Sequence, residues 1–253
     1  MTETRAGAKL IEFLHLTFLQ VLPTRVPVAE YVVKGGANLR LFFNSRRRSQ
    51  DIDLDFAGSA FWRLEERVDA VLASRAFLDL LRTGGVALTD LSKPKQTATT
   101  RRWKFAVRGS GGPLNSKIEF SARRGRDPEV AFDLARADVG RAAGLRAVRA
   151  NHYLAPAAVR QKIRVLAERK QTEPRDVFDL DLLVAQHPRA VGRGDVTPAL
   201  AARAAAAAFD IPFDAYRALV VDFLEDEFVR IYDRREVWDE MVVRVAGFLE
   251  SLT

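Results

Sequence analysis

Aspartates recur at every second position of Asp51-Ile52-Asp53-Leu54-Asp55-Phe56. On a strand, that spacing puts the three carboxylates on one face and Ile52, Leu54 and Phe56 on the other. Adjacent carboxylates on a rigid strand remain ionised together only at a cost, unless a cation neutralises them. Magnesium suits this donor set, because it is bound by one or two carboxylates and completes its shell with water and substrate phosphates. Arg46-Arg47-Arg48-Ser49 stands directly upstream, and guanidinium groups beside carboxylates favour a phosphate lying between them. Further upstream, Gly35-Gly36 can turn a strand into a helix and present backbone N–H groups to a phosphate. No Gly-Lys-Ser/Thr follows it and the spacing is not GxGxxG, so neither common phosphate loop is present. The chemistry indicated is metal-assisted transfer at a nucleotide phosphate. Asp55 lies further along the strand and is expected to be structural.

The elements that must hold these residues can be read from periodicity. Residues 6–22 carry Leu10, Phe13, Leu14 and Phe18 at helical spacing and stop before Pro23. Tyr31-Val32-Val33 reads as a short strand entering the glycine pair, and Leu39 to Phe43 as a helix returning to the aspartate strand. Residues 60–82 read as one helix ended by Gly84-Gly85. Trp103, Phe105 and Val107 then alternate with polar residues, as do Leu114, Ser116, Ile118 and Phe120. The turn Gly109-Ser110-Gly111-Gly112-Pro113 between them predicts a hairpin. Beyond about residue 150 the pattern becomes helical: Ala157–Lys170 after Pro156, Pro174–Gln186 closed by Pro188, then 199–208, 213–231 and 235–252. The expected architecture is α+β: residues 1–150 form the α/β domain, and residues 151–253 a helical domain that contributes to the active site.

Composition sets the outer bounds. A chain of 253 residues with 48% hydrophobic residues can bury one large core or two smaller ones, so disorder is not expected. Forty Lys and Arg against 33 Asp and Glu give +7, which favours nucleotide or nucleic-acid partners. The absence of cysteine excludes disulfides, thiolate metal sites and cysteine nucleophiles. No segment reaches the roughly 20 apolar residues of a membrane span, and Glu12 and His15 interrupt the apolar N-terminal run. A cytoplasmic, soluble protein is expected.

Several residues outside the aspartate strand could join the site. Glu119 is the leading third carboxylate; its ordinary reading is a solvated hairpin residue paired with Lys117. Asp133 is the alternative. Asp176 and Asp179 lie three apart on a helix and face the same way. Their ordinary readings are a dipole-favoured first-turn residue and a partner of Arg175 or Arg169. His15, His152 and His187 are scattered and read as structural, so zinc and Ser/His/Asp chemistry lack support. Arg101-Arg102-Trp103-Lys104 and the helix bearing Arg160, Arg164 and Arg169 could track an RNA backbone, or be plain basic faces.

Lys34-Gly35-Gly36-x-x-Leu39-Arg40, then Arg47-x-Ser49-x-Asp51-Ile52-Asp53-Leu54, resembles the AbiEii/AbiGii abortive-infection toxins. These and the related MenT toxins belong to the DNA polymerase β-like nucleotidyltransferase superfamily. Lys162, Arg169 and Arg175-Asp176-Val177-Phe178-Asp179-Leu180 extend the likeness to a second, K…R…RDxxD segment. Ala37-Asn38 and Arg48 depart from the usual residues without removing a presumed catalytic group. The resemblance implies a polymerase β-like core with a small mixed sheet, followed by a C-terminal helical bundle. It implies transfer of a nucleoside monophosphate from an NTP to an acceptor, which in MenT-type members is the 3′ end of tRNA. It further implies that Ser49 contacts the triphosphate, that Asp51 and Asp53 hold magnesium, and that Lys162, with Arg47 as second candidate, steadies the β and γ phosphates. Glu119 would act on the acceptor hydroxyl, and Asp179 or Asp176 would orient the acceptor or the Lys162 ammonium. A cognate antitoxin is the implied partner.

Two other outcomes stay open at this stage. One is a nucleotidyltransferase acting on a protein or a small hydroxyl-bearing molecule; the basic charge disfavours a cationic acceptor. The other is a catalytically silent nucleotide- or RNA-binding regulator, which the intact Ser49, Asp51, Asp53 and Lys162 count against.

Overall fold

A computed structural model describes residues 3–108, 113–122, 129–142 and 144–253. The chain is α+β and divides into two compact units. One comprises Met1–Asn44 with Arg48–Tyr153, the other Ser45–Arg47 with Leu154–Thr253.

The first unit is built on seven strands: β1 (Tyr31–Lys34), β2 (Ile52–Phe56), β3 (Ala87–Gln96), β4 (Thr100–Arg108), β5 (Leu114–Ser121), β6 (Val130–Leu134) and β7 (Arg149–Tyr153). They form one mixed sheet in the order β3-β4-β5-β2-β1-β7-β6. The aspartate strand β2 is central, antiparallel to β1 and parallel to β5. Its alternation is real: Ile52, Leu54 and Phe56 are buried while Asp53 and Asp55 stay partly accessible. Helices α1 (Glu3–Val21), α3 (Leu64–Leu72) and α4 (Arg75–Thr83) contribute Leu14, Phe18, Val68, Phe77 and Leu81 to the core that also takes Trp103, Ile118 and Phe120. Phe18 meets Phe77 and Phe120 edge-on, at ring centroids 6.5 and 6.4 Å apart, the geometry aromatic quadrupoles favour.

The expected hairpin of β4 and β5 forms, with Trp103 opposite Ile118 and Phe105 opposite Ser116. Its turn, Gly109 to Gly112, lies outside the described residues. The expected single helix over 60–82 is instead a 3-10 turn, Phe61–Arg63, followed by α3 and α4. Ser74 breaks it: its backbone is extended and its Oγ accepts from the Phe77 N–H, so it caps a new helix. Gly85 then ends α4 at φ +66, a conformation that favours glycine. Strands β3, β6 and β7 lack the apolar alternation that marks a strand in the sequence. β3 is mostly exposed, with register shifts, so apolar alternation is weak there.

The second unit is helical: α6 (Ala155–Glu168), α7 (Pro174–Gln186), α8 (Pro198–Phe209), α9 (Phe213–Leu219), α10 (Asp226–Tyr232) and α11 (Arg235–Ser251). Pro156 and Pro174 stand in the first turns of α6 and α7, where a missing N–H costs nothing. Ala201, Ala204, Ala205 and Ala208 line the buried stripe of α8, and these small side chains let it pack closely on α6 and α11. The run expected as one helix over 213–231 is α9, a 3-10 turn over Val221–Phe223, and α10. Among the described residues no helix is long and apolar enough to cross a membrane.

Candidate active site

The first unit assembles a row of charges across four strands. Arg102 on β4 pairs in register with Glu119 on β5, Glu119 with Asp53 on β2, and Asp53 with Lys34 on β1. Asp51 sits one residue before β2, held by its own surroundings. Ser49 Oγ donates to the Asp51 carbonyl at 2.7 Å, and the Lys117 N–H donates to Asp51 Oδ1 at 3.1 Å. The Lys117 ammonium lies between the two expected metal ligands, 2.9 Å from Asp53 Oδ1 and 3.3 Å from Asp51 Oδ2. Burial works against its charge, but Asp53 and Asp51 outweigh that and raise its pKa above the usual lysine value.

Glu119 does not pair with Lys117, as a solvated hairpin residue would; Arg102 holds it at 2.5 Å. The reason is the parallel neighbour β2, which a hairpin pattern does not reveal and which draws Lys117 to the aspartates. Asp133 lies on β6, at the far edge of the sheet and three strands from β2, with His152 as its partner at 3.1 Å. It is thus far from Asp53, whereas Glu119 is directly adjacent. Asp55 is tied down by Lys34 at 2.5 Å and by the Tyr153 hydroxyl at 2.8 Å, in keeping with a structural role.

Helix α2 (Gly35–Phe42) begins where β1 ends, opposite Asp53. Gly35 has φ +63, and a Cβ built there would lie 3.6 Å from Asp53 Oδ2. The glycine therefore lets the chain reverse tightly and brings a helix N-terminus close to Asp53. Gly36 is the second residue of that helix.

Two further side chains, Ser116 and His15, support this arrangement, and neither stands in a motif that announces it. Ser116 Oγ donates to the Gln50 carbonyl at 2.7 Å and so accepts from His15 Nε2 at 3.2 Å. This fixes His15 as the neutral Nε2–H tautomer and links α1 to the start of the aspartate strand. Burial, opposed by Asp53 and reinforced by Lys117, lowers its pKa to about 3. Lys117 itself is the residue most directly missed. Its alternation with Ile118 placed it on the face of Glu119, but only the β2–β5 pairing shows what it meets.

The basic run Arg101 to Lys104 is mostly committed internally. Arg101 stacks on Phe61, Arg102 holds Glu119, and Trp103 is fully buried with its Nε1 donating to Asp69 at 2.8 Å. Lys104 is exposed.

The second unit gathers the other expected residues into a buried cluster. Lys162 on α6 contacts Asp176 Oδ1 at 3.0 Å and Asp179 Oδ2 at 2.5 Å, both on α7. Arg47 Nη2 donates to both Asp179 oxygens at 3.1 Å. Arg169 reaches Asp176 at 3.6 Å and also pairs with Glu173. Burial would raise the Asp179 pKa, yet Arg47 and Lys162 overcome it and hold the carboxyl below its ordinary value. Burial likewise opposes the Lys162 charge, and Asp179 and Asp176 reverse this, raising its pKa. Arg47 is thus anchored to Asp179 within this unit.

The donor set of the first unit can be tested against a divalent metal. Two hard carboxylate ligands already share one cation, the Lys117 ammonium, so they can share another. Among the described residues no three metal-ligating side chains gather. Two carboxylates with substrate oxygens suit magnesium without a third, so the residues fit.

The family described as "Nucleotidyl transferase AbiEii toxin, Type IV TA system" matches residues 18–251. No curated protein matches the sequence significantly. The fold resembles that of JHP933 from Helicobacter pylori at TM-score 0.55 and 17% identity, over 99% of this chain and 91% of that one. It also resembles a candidate nucleotidyltransferase from H. pylori at TM-score 0.56 and 20% identity, over 99% and 96%. With the family match spanning nearly the whole chain and both charge clusters inside it, the protein belongs to the AbiEii family of nucleotidyltransferase toxins of type IV toxin–antitoxin systems.

Proposed function

We propose that this nucleotidyltransferase moves a nucleoside monophosphate from an NTP to the 3′ end of tRNA, which blocks aminoacylation and translation until a cognate antitoxin restrains it. The observation carrying this reading is the closeness of the start of α2 to Asp53, where a Cβ built on Gly35 would lie 3.6 Å from Oδ2. Backbone N–H groups of a helix N-terminus beside two carboxylates suit a phosphate that arrives with its own divalent cation. Magnesium held by Asp51 and Asp53 would neutralise charge that develops on the phosphates.

The chain's own residues do the rest. The acceptor oxygen attacks the α phosphorus, the bond to the β phosphate breaks, and pyrophosphate leaves. Glu119, opposite Asp53 in the sheet register, receives the hydroxyl proton, and Arg102 keeps its carboxylate in position. Ser49 donates its hydroxyl to the Asp51 carbonyl in the free protein and would turn that one donor to the triphosphate when nucleotide binds. Lys162 serves the β and γ phosphates, with its charge and orientation set by Asp176 and Asp179. The excess positive charge of the chain supports a polyanionic acceptor over a cationic one.

The test is incubation of the purified protein with magnesium, total tRNA and each labelled NTP in turn. Label should appear on tRNA with at least one NTP, and Asp53→Ala should abolish it. No labelled tRNA with any NTP, or equal labelling by the variant, would overturn the reading. Label on protein instead would reassign the acceptor.

A further inference from the structure

Lys117 is the one group of the aspartate cluster that no role above uses. It projects from β5 between the ligands proposed for the metal, and its contacts to Asp51 and Asp53 are those of a cation bridging two carboxylates. The third carboxylate of the row, Glu119, acts on Lys117 only from a distance, because Arg102 engages Glu119 directly. The lysine is also tethered: its own backbone N–H bonds Asp51 Oδ1, so its anchor point stays fixed while its four-carbon stem remains free to swing. At 23% side-chain exposure it has a path to solvent.

We propose that Lys117 is a built-in counter-ion that holds the cation position between Asp51 and Asp53 until metal-bound nucleotide displaces it, so that it sets the metal affinity of the free enzyme. The inference rests on the reading of Asp51 and Asp53 as metal ligands. An ammonium and a divalent cation cannot share one carboxylate pair without strong like-charge repulsion. Metal alone must therefore displace Lys117 unaided and binds weakly. A metal–nucleotide complex brings phosphates that offer the released ammonium new acceptors, so it binds well. The consequence is ordered loading, in which the metal arrives with the nucleotide and the two aspartates stay compensated beforehand. A purely structural lysine would behave in the opposite way, since its removal would loosen the site and weaken metal binding.

The experiment is titration of the full-length protein with manganese in the absence of nucleotide, followed by electron paramagnetic resonance of the free ion. Lys117→Gln should tighten manganese binding by roughly tenfold or more, the scale of removing one positive charge a few ångströms away. Lys117→Arg should keep the affinity of the parent. Thermal melting gives a second readout: added manganese should raise the melting temperature of Lys117→Gln more than that of the parent. Unchanged or weakened manganese affinity in Lys117→Gln overturns the inference. Asp53→Asn separates the two readings: if manganese still binds it as it binds the parent, the assignment of the metal to Asp51 and Asp53 fails with it. If Asp53→Asn abolishes binding while Lys117→Gln leaves it unchanged, only the role of Lys117 falls.

Discussion

The two charge clusters use the same chemistry in opposite ways. In the first unit Asp51, Asp53 and Lys117 have side-chain exposures of 19, 31 and 23%. In the second, Asp176, Asp179, Lys162 and Arg47 have 2, 0, 11 and 4%. An ion pair that water can reach is worth little and exchanges partners easily. A buried one offers no such freedom, since a lost partner leaves a charge that nothing solvates. The accessible cluster is fit to change its cation; the buried cluster is fit to fix one lysine and one arginine in place. Position in the fold decides which: an open row across a sheet face, or two helices closed on each other.

The largest test breaks the buried cluster. Asp179→Ala removes the carboxylate shared by Lys162 and Arg47, so that Lys162 keeps Asp176 while Arg47 loses its contacts to both Asp179 oxygens. The expected cost is about 3–5 kcal/mol. Urea unfolding followed through Trp238, a buried tryptophan of this unit, measures it. A loss below about 1 kcal/mol would mean that water screens this cluster as well.

Asp53→Asn should show the reverse balance. Its carboxylate is partly exposed, and Lys117 keeps Asp51, so stability should change by no more than about 1 kcal/mol. Activity should fall by orders of magnitude, since a metal ligand supplies several kcal/mol of transition-state stabilisation. Single-turnover assays beside thermal melts of the same preparation read both. An equal loss of both would make Asp53 a structural residue.

Acid should separate the clusters by pH. Burial lowers the His15 pKa from 6.5 to about 3, so the folded first unit excludes a proton that the unfolded chain accepts. That contribution is complete above 6.5 and declines as pH falls from there toward 3. For Asp179 the folded value lies below the ordinary 3.8, so its contribution persists above that value and is lost only at lower pH. Melting temperature should therefore begin to drop near pH 6.5, and His15→Gln should flatten that limb while leaving the decline below about pH 4. An unaltered profile in His15→Gln would remove His15 as its source.

Parts of this contrast were readable in the sequence, for physical reasons. The period-two aspartates and the apolar residues between them announce a strand with one charged face, because alternation is a local property of the backbone. Pro174 and the glycine pair Gly84-Gly85 announce helix ends by the same local logic. The partners of those charges were not readable. Glu119 joins Arg102 through the register of the β4–β5 hairpin, and Lys117 joins Asp51 and Asp53 because β5 lies parallel to β2 across a connection of nearly 60 residues. Arg47 stands four residues before Asp51 yet pairs with Asp179, an association that sequence spacing does not encode. Ser74 was a missed local signal: an N-cap serine inside an apolar period divides one apparent helix into two.

The smallest test isolates what the helix start adds to the accessible cluster. Gly35 and Gly85 have nearly equal positive φ, +63 and +66, so alanine at either should cost about 1 kcal/mol in backbone strain. They differ in what the new methyl meets. At Gly85 nothing lies within 4 Å, whereas at Gly35 the methyl would stand 3.6 Å from Asp53 Oδ2, an ordinary contact that adds no clash. The two variants should therefore melt alike. Gly35→Ala alone should raise KM for the nucleotide, because its methyl occupies the approach between the helix N–H groups and the carboxylate. Equal KM in both variants would show that the phosphate does not pass between Gly35 and Asp53, and the site would have to open on another side of the sheet.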